Sequence, residues 1–127
     1  MSNRRRPSAA NLYHAVYLRS PAWYARRARW FTHHTRTEGP VVCAGCGRAG
    51  SAADLELHHL DYRHVTVTAG HWRGQEGDDD LLPLHPYCHE LLHRLIDRDK
   101  LLSRNRTRRD ATRIALTRLR PKLQDHP

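Results

Sequence analysis

The sequence has few of the residues that build a large apolar core. Only 39% of its 127 residues are hydrophobic, and it contains one Phe and one Met. Hydrophobic burial therefore offsets little of the chain entropy lost on folding, and we expect another source of stability. No apolar run approaches the ~20 residues of a membrane span, and the basic start at Arg4 lacks the apolar stretch of a signal peptide. These absences predict a soluble, cytoplasmic protein of one domain, with no membrane partner.

Cysteine is also scarce, and its number is odd. Three thiols cannot all pair within one chain, and two of them form Cys43-Ala-Gly-Cys46, a spacing that suits a metal ion better than a structural disulfide. The third thiol belongs to a second pair of equal spacing, His85 to Cys88. Two such pairs commonly hold a tetrahedral Zn²⁺, so these four residues are the expected ligands of a structural zinc ion.

Two alternatives to this ligand set remain open. The three cysteines could recruit His89 or His93 in place of His85. The three thiols could also be buried without any zinc.

Acidic residues are absent from the first 36 positions, which carry eight Arg. Residues 37–93 carry nine acids and three Arg, and residues 94–127 carry eleven Arg or Lys and four acids. Two basic segments thus flank an acidic, His-rich centre, which favours a polyanionic partner because Lys and Arg neutralise phosphates. A merely solvated basic face is the alternative. The arginines expected to contact DNA are Arg26, Arg27, Arg29, Arg104, Arg106, Arg108 and Arg109.

Local signals predict a small α+β domain. A helix is predicted over about 11–19, and Ser20-Pro21 is a start signal for a second helix that Gly39-Pro40 ends. Alternation of apolar and polar residues predicts strands at 55–60 and 64–68, whereas the polar, Gly-rich residues 70–80 indicate a loop. Helical periodicity covers 87–97, and a last helix is predicted over about 110–119. The chain divides into a disordered basic N-terminus (1–10), a basic and aromatic helical lead-in (11–38), a metal-binding core (39–97) and a basic C-terminal helix and tail (98–127).

Four histidines outside the expected zinc pairs indicate chemistry. His89 and His93 are four positions apart on a predicted helix, so their side chains share one face. His58 and His59 are adjacent on a predicted strand, so they point to opposite sides. One of these two can join a metal ion held by the helix, while the other faces a water molecule. Metal-assisted phosphodiester hydrolysis requires this division, because a cation stabilises the developing charge and an imidazole takes a proton from water.

The residues around these histidines extend the pattern. Glu56-Leu57-His58-His59-Leu60-Asp61-Tyr62 lies between the first cysteine pair and Asp80-Leu81-Leu82-Pro83-Leu84-His85-x2-Cys88-His89-x3-His93. The combination resembles the HNH endonucleases of the cysteine-bearing kind, and Tyr17-Leu18-Arg19-Ser20-Pro21-Ala22-Trp23 is similar to a lead-in often found in that family. The resemblance covers about residues 17–95. It implies a zinc-stapled ββα-metal (His-Me finger) core flanked by basic helices.

The resemblance also implies roles for the four histidines. The strand with His58 and His59 forms a two-stranded hairpin packed on the helix that begins near Tyr87. His58, His89 and His93 are then ligands of one catalytic divalent ion. His59 is the general base, with its second ring nitrogen held by a carbonyl oxygen.

Two positions depart from the family pattern. Asp80 stands where the family has the Asn that braces the hairpin loop, and a carboxylate accepts hydrogen bonds but cannot donate as an amide does. The geometry of this loop, and with it the catalytic rate, is the property affected. His85 stands where the family commonly has Cys, an exchange that zinc tolerates.

The implied activity is hydrolysis of DNA to a 5′-phosphate and a 3′-hydroxyl. Histidine ligands favour Zn²⁺, Ni²⁺, Mn²⁺ or Co²⁺ over Mg²⁺ as the catalytic ion. The alternative is an inactive, zinc-containing nucleic-acid binding module, or an interaction module of a phage packaging or defence complex with Leu101-Leu102 and the last helix as contacts. Retention of all four histidines argues against it, since a pure binder does not need His59. No sequence feature sets the oligomeric state.

Overall fold

The computed structural model describes residues 9–124 and is a mixture of helices and small antiparallel sheets, which confirms the predicted α+β class. The elements are α1 (Ala9–Tyr17), α2 (Pro21–Glu38), β1 (Glu56–His59), β2 (Val65–Thr68), β3 (His71–Gly74), β4 (Leu81–Leu84), α3 (Pro86–Arg98), α4 (Lys100–Arg104) and α5 (Arg108–Gln124). Within residues 9–124, no helix has the length and apolar character needed to cross a membrane.

The N-terminal helices follow the sequence signals closely. Disorder was predicted for residues 1–10. Residues 1–8 lie outside the described part of the chain, and the prediction is wrong for Ala9 and Ala10, which are helical. At the start of α2, the Ser20 hydroxyl oxygen accepts a hydrogen bond from the Trp23 backbone N–H, as an N-cap residue does. The helix ends at Glu38 and is followed by the C-cap residue Gly39, whose φ of 89° is a conformation that glycine adopts at little cost.

The two sheets pair strands that are not all neighbours in sequence. β1 pairs with β4, which places His58 opposite Leu82, and β2 pairs with β3 as a separate hairpin. Residues 60–80 therefore form an excursion between the two strands of one sheet. The prediction of a loop over 70–80 is wrong, because this segment contains β3 and a 3₁₀ turn at Asp78–Asp80. Trp72 anchors β3 by packing against Tyr17, with 5.4 Å between the centres of the two rings. No local sequence pattern indicates this tertiary contact.

The C-terminal region has more helix than the periodicity predicts. The short α4 was not predicted, and α5 begins two residues earlier and ends five residues later than expected. Leu102 is buried in the core and Leu101 is exposed, so the two leucines do not form a joint surface. The core cluster draws on α1, α2, β1, β2, β4, α3, α4 and α5. Elements from all parts of the described chain thus share one interior.

The turn between β2 and β3 contains a strained residue. Thr68 pairs with His71, so Ala69 and Gly70 form a two-residue loop, and their φ values of 51° and 79° are those of a type I′ turn. Asn is favoured at the first position because it tolerates the left-handed region better than Ala does. We expect Ala69→Asn to raise the free energy of unfolding by about 0.5–1 kcal/mol.

Thermal or urea unfolding measures this gain. Ala53→Asn is the matched control, because Ala53 lies in an exposed turn and is not among the residues with positive φ. Equal stabilisation by both substitutions would contradict the assignment of strain to Ala69.

Candidate functional site

Three histidine side chains converge between β1 and α3. The Nδ1 atom of His58 lies 3.1 Å from Nε2 of His89, which lies 3.0 Å from Nε2 of His93. His58 comes from β1, while His89 and His93 lie one turn apart on α3. The structure thus brings together the three residues predicted as ligands of a catalytic ion, and they could hold a metal ion.

The distances and charge states in this histidine cluster suit a metal ion. Two nitrogen atoms bound to one ion at about 2.0–2.1 Å lie roughly 3–3.4 Å apart. Burial, followed by the positive charge of Arg108, lowers the pKa of His58 to about 2. Burial also lowers the pKa of His93 to about 4, and it lowers that of His89. All three rings are therefore neutral at pH 7, which is the form that binds metal.

Two further side chains orient these rings. Nε2 of His58 hydrogen-bonds to the Thr112 hydroxyl at 2.9 Å, and Nδ1 of His89 lies 3.2 Å from a carboxylate oxygen of Glu56. When Nε2 of His58 and Nδ1 of His89 carry the protons, the converging nitrogens are left with free lone pairs. Neither Thr112 nor Glu56 was predicted as a site residue.

His59 points away from this cluster and pairs with a buried carboxylate. Its Nε2 atom lies 2.7 Å from Oε2 of Glu76, and the His59 side chain is only 1% exposed. The Tyr17 hydroxyl donates to the same carboxylate, at 2.8 Å from Oε2. Burial alone would raise the pKa of Glu76, but the hydrogen bonds from His59 and Tyr17 lower it below its ordinary value. A carboxylate therefore holds the ring nitrogen for which a carbonyl was expected.

The Glu76 pair depends on a close approach at Gly74. A Cβ atom at this position would collide with the Tyr17 hydroxyl and lie 3.1 Å from Oε1 of Glu76. Glycine is needed here because no side chain fits beneath these two groups. Glu76 itself lay in the segment predicted as a loop, where only its position between Gly74 and Gly77 distinguishes it.

A cavity of about 340 Å³ joins the two histidine arrangements. Its wall includes the three converging histidines, His59, and the aromatic ring of Tyr62, which stacks on His59 with a centroid distance of 4.2 Å. His14 of α1 stacks on the other side of Tyr62 at 3.6 Å. A larger groove between α2 and residues 39–52 contains none of the predicted catalytic or metal-binding residues.

Arg108 places a positive charge at the edge of this cavity. Its Nε atom donates to the backbone oxygen of His59, and its guanidinium carbon lies 5.3 Å from the centre of the Tyr62 ring. Among residues 9–124, no carboxylate forms an ion pair with Arg108 within 4.0 Å. The cavity wall therefore combines neutral imidazoles and the anchored cation of Arg108 with one carboxylate, that of Asp97.

Asp80 braces the segment that precedes β4. Its Oδ2 atom accepts a hydrogen bond from the Gly77 backbone N–H at 3.1 Å, and its backbone oxygen accepts from the Leu60 N–H at 2.7 Å. Arg109 forms an ion pair with the other carboxylate oxygen. Asp80 thus makes loop contacts of the kind that the resemblance implies for Asn, and Arg109 compensates for its charge.

The three cysteines form a second cluster. The sulfur atoms of Cys43, Cys46 and Cys88 lie within 4.8 Å of one another. The Nδ1 atom of His85 lies 3.3 Å from the sulfur atom of Cys46. Backbone N–H groups of Gly45 and His85 each donate to the Cys43 sulfur at 3.3 Å. The cysteines could hold a metal ion, with His85 adjacent to them. His89 and His93, the alternative ligands, belong to the histidine cluster instead.

The protonation of the cysteines shows why a cation would stabilise this cluster. Burial raises the pKa of Cys43, but N–H groups of His85, Cys46 and Gly45 outweigh it and lower the value to about 7. Burial and the neighbouring Cys43 raise the pKa of Cys88 to about 12. Ionisation of Cys88 beside the Cys43 thiolate therefore requires a compensating positive charge, and a thiolate-rich donor set suits Zn²⁺.

The predicted DNA-binding arginines differ in burial, and Arg27 is half-buried. Arg26 is buried, with Nε donating to the Glu76 backbone oxygen at 3.0 Å and an ion pair to Asp78, so it is not available to DNA. Arg27 donates to the backbone oxygens of Ala52 and Leu55. The exposed members of the predicted set are Arg29, Arg104, Arg106, Arg108 and Arg109.

Comparison with protein-family models, with curated proteins and with solved structures finds no match to this chain in any of the three.

Proposed function

We propose that the protein is a metal-dependent DNA endonuclease of the HNH type, with β1, β4 and α3 as its ββα-metal core. The observation that carries the proposal is a pair of adjacent histidines with different partners. His58 joins His89 and His93 in a cluster with metal-ligand spacing, while His59 joins a buried carboxylate on the wall of the same cavity. A module that only binds nucleic acid has no need for the second arrangement.

The residues divide the work of phosphodiester hydrolysis. His58, His89 and His93 would hold a divalent ion, which supplies electrostatic stabilisation of the charge that develops on the phosphate. His59 accepts a proton from the attacking water at Nδ1, because its Nε2 atom is engaged by Glu76. The water oxygen bonds to phosphorus as the bond from phosphorus to the 3′ oxygen breaks, and the 3′ oxygen takes a proton from solvent. The products are a 5′-phosphate and a 3′-hydroxyl.

Glu76 and Arg108 support this reaction from two sides. Glu76 fixes the orientation of His59 and stabilises the imidazolium that forms when the ring takes a proton. Arg108 lines the cavity, and no carboxylate of the described residues lies within 4.0 Å of it, although Asp97 lines the same cavity; its guanidinium can therefore contact a phosphate oxygen. The exposed Arg29, Arg104 and Arg106 would add contacts to neighbouring phosphates.

The cysteine cluster would act as a structural staple. Cys43 and Cys46 precede β1, whereas Cys88 lies in the first turn of α3, just before His89. A Zn²⁺ ion held by these thiolates and His85 would fix the start of α3 against the segment before the sheet. Because α3 also carries His89 and His93, this staple would determine the position of two of the three proposed catalytic ligands.

A plasmid-relaxation assay with added divalent ions tests the proposed function. We expect cleavage by the wild-type protein with at least one of Mn²⁺, Co²⁺, Ni²⁺, Zn²⁺ or Mg²⁺. His89→Ala should reduce the rate by about 10–100-fold at a low ion concentration and recover partly at a high one, since a missing ligand weakens ion binding. His64→Ala is the matched control, because His64 is exposed and belongs to neither cluster.

Two results would contradict the proposal. The first is the absence of cleavage by folded wild-type protein with every ion tested. The second is an equal loss of activity in His89→Ala and His64→Ala, since it would show that the histidine cluster has no special role.

A further inference from the structure

The excursion between β1 and β4 carries a two-stranded ribbon with a polar outer face. Directly paired residues lie on the same face of a hairpin, so Thr66 and Arg73 share one face with the pair Thr68 and His71. All four side chains are exposed. This outer face consists only of hydrogen-bonding groups, and none of them is a carboxylate.

The inner face of the ribbon fixes its position. Val65 is buried, and Trp72 packs its ring 4.5 Å from that of Tyr13 and 5.4 Å from that of Tyr17. The backbone N–H of Gln75 donates a hydrogen bond to the backbone oxygen of His64 at 3.2 Å. This bond adds one residue pair to the strand pairing at the base of the hairpin. The outer face is therefore presented by a supported element.

The chemistry of the ribbon suits a nucleic-acid duplex. Within the ribbon, from residue 65 to residue 74, the chain has one Arg and one His but no Asp or Glu. Threonine hydroxyls both donate and accept hydrogen bonds, while arginine donates to phosphates and to guanine edges. A two-stranded ribbon also has the width that the major groove of B-form DNA admits.

The ribbon is continuous with the candidate active site. Its first strand begins six residues after His59 and its second strand ends two residues before Glu76, and these two side chains hydrogen-bond to each other across its base. A four-residue strand extends about 13 Å at 3.3 Å per residue. Contact of the ribbon with DNA would therefore set the distance between the contacted base pairs and the cleavage point.

We infer that the β2–β3 ribbon contacts duplex DNA in its major groove through Thr66, Thr68, His71 and Arg73. The inference rests on the proposed function, because it names the double-stranded form of the substrate. It assigns these four residues a role in substrate recognition and none in the chemical step.

The double variant Thr66→Ala/Arg73→Ala tests this role, because it removes one cross-strand pair from the outer face. Affinity for a 20-base-pair duplex, measured without added divalent ion so that the DNA stays intact, should fall by about 10-fold or more, and its salt slope should decrease by about one unit. Affinity for single-stranded DNA should change by less than about threefold. Thr35→Ala/Arg36→Ala is the matched control, since it removes the same two residue types from exposed positions of α2.

Protection of guanine N7 from methylation identifies the groove, because this atom lies in the major groove. The wild-type protein should protect specific guanines, and the double variant should not. Equal losses for duplex and single strand, equal losses in the control variant, or unchanged N7 methylation would each overturn the inference. Circular dichroism and zinc content verify that each variant is folded.

Hydrolysis of bis(p-nitrophenyl) phosphate separates this inference from the proposed function. This small phosphodiester is too short to reach the ribbon, so the double variant should hydrolyse it within about twofold of the wild-type rate. Loss of that hydrolysis in the double variant would place the two residues in the catalytic machinery and overturn the inference. If the wild-type protein hydrolysed neither plasmid DNA nor bis(p-nitrophenyl) phosphate, the proposed function would fail. The comparison of duplex affinities would still decide whether the ribbon contacts DNA.

Discussion

Replacement of His59 by alanine is expected to abolish the proposed DNA cleavage and to leave the histidine and cysteine clusters intact. His59 is the proposed proton acceptor, and removal of such a group usually lowers the rate by about 10²–10⁴-fold. Its ring contacts Glu76, Tyr62 and Trp23 but none of the three converging histidines. Metal content should therefore match that of the wild type. Initial rates of plasmid cleavage, measured with metal analysis of the same preparations, test this expectation.

Companion variants separate catalysis from a general effect on the fold. Unlike His89→Ala, His59→Ala should not recover at a high ion concentration, because its defect is not in ion binding. Glu76→Gln keeps the size of the side chain and removes its charge, so we expect a smaller loss and a changed pH profile. His64→Ala should remain at the wild-type rate. Cleavage by His59→Ala at the wild-type rate with every ion would refute the enzyme proposal in favour of a binding module.

Replacement of Cys43 by serine is expected to remove the proposed structural zinc ion and most of the stability. Cys43 is buried next to the other two thiols, and its sulfur atom accepts hydrogen bonds from two backbone N–H groups. A ligand present at 1,000 times its Kd stabilises a fold by about 4 kcal/mol, and the small apolar core has little reserve. We expect the free energy of unfolding to fall by about 3–4 kcal/mol, with loss of one zinc ion per chain. Urea unfolding and elemental analysis measure both effects.

Val42→Ser is the matched control for this variant. Val42 is adjacent to Cys43 and 50% exposed, so the same new residue enters the chain next to the cluster and not within it. Its stability should lie within about 0.5 kcal/mol of the wild type. A folded, metal-free wild-type protein at neutral pH would show that the cysteine cluster does not need zinc.

Sequence reasoning located the two clusters because their spacing is local. A four-residue interval on a helix places His89 and His93 on one face, and adjacent positions on a strand send His58 and His59 to opposite sides. The structure has both arrangements. Such intervals are properties of single elements, so they can be predicted before the tertiary fold is known.

The partners of these histidines could not be found in the same way. Glu76 is 17 residues from His59, and Thr112 is 54 residues from His58. No periodicity connects such positions, because the pairing depends on how the excursion folds back and how α5 packs on α3. The error over residues 70–80 has the same origin, since Trp72 becomes part of a strand through its contact with Tyr17.

The burial of Arg26 could have been predicted from its position in the helix, although its charge indicated an exposed residue. It lies three residues after Trp23 and four residues before Trp30, which is the spacing of one helix face. Both tryptophans are buried, so the same stripe carries Arg26 inward to Glu76 and Asp78. Counting charges treats every arginine as exposed, whereas the helical interval shows that this one belongs to the buried face.

Helix α5 supports both clusters from one side, and this has a consequence for biosynthesis. Thr112 near its start bonds to His58, while Gln124 at its end donates to the backbone oxygen of Gly45, between Cys43 and Cys46. On the ribosome, α5 is synthesised after every other described element, so the earlier residues emerge without this support. We therefore expect a nascent chain to order the histidine and cysteine clusters fully only after α5 has emerged from the ribosome's exit tunnel.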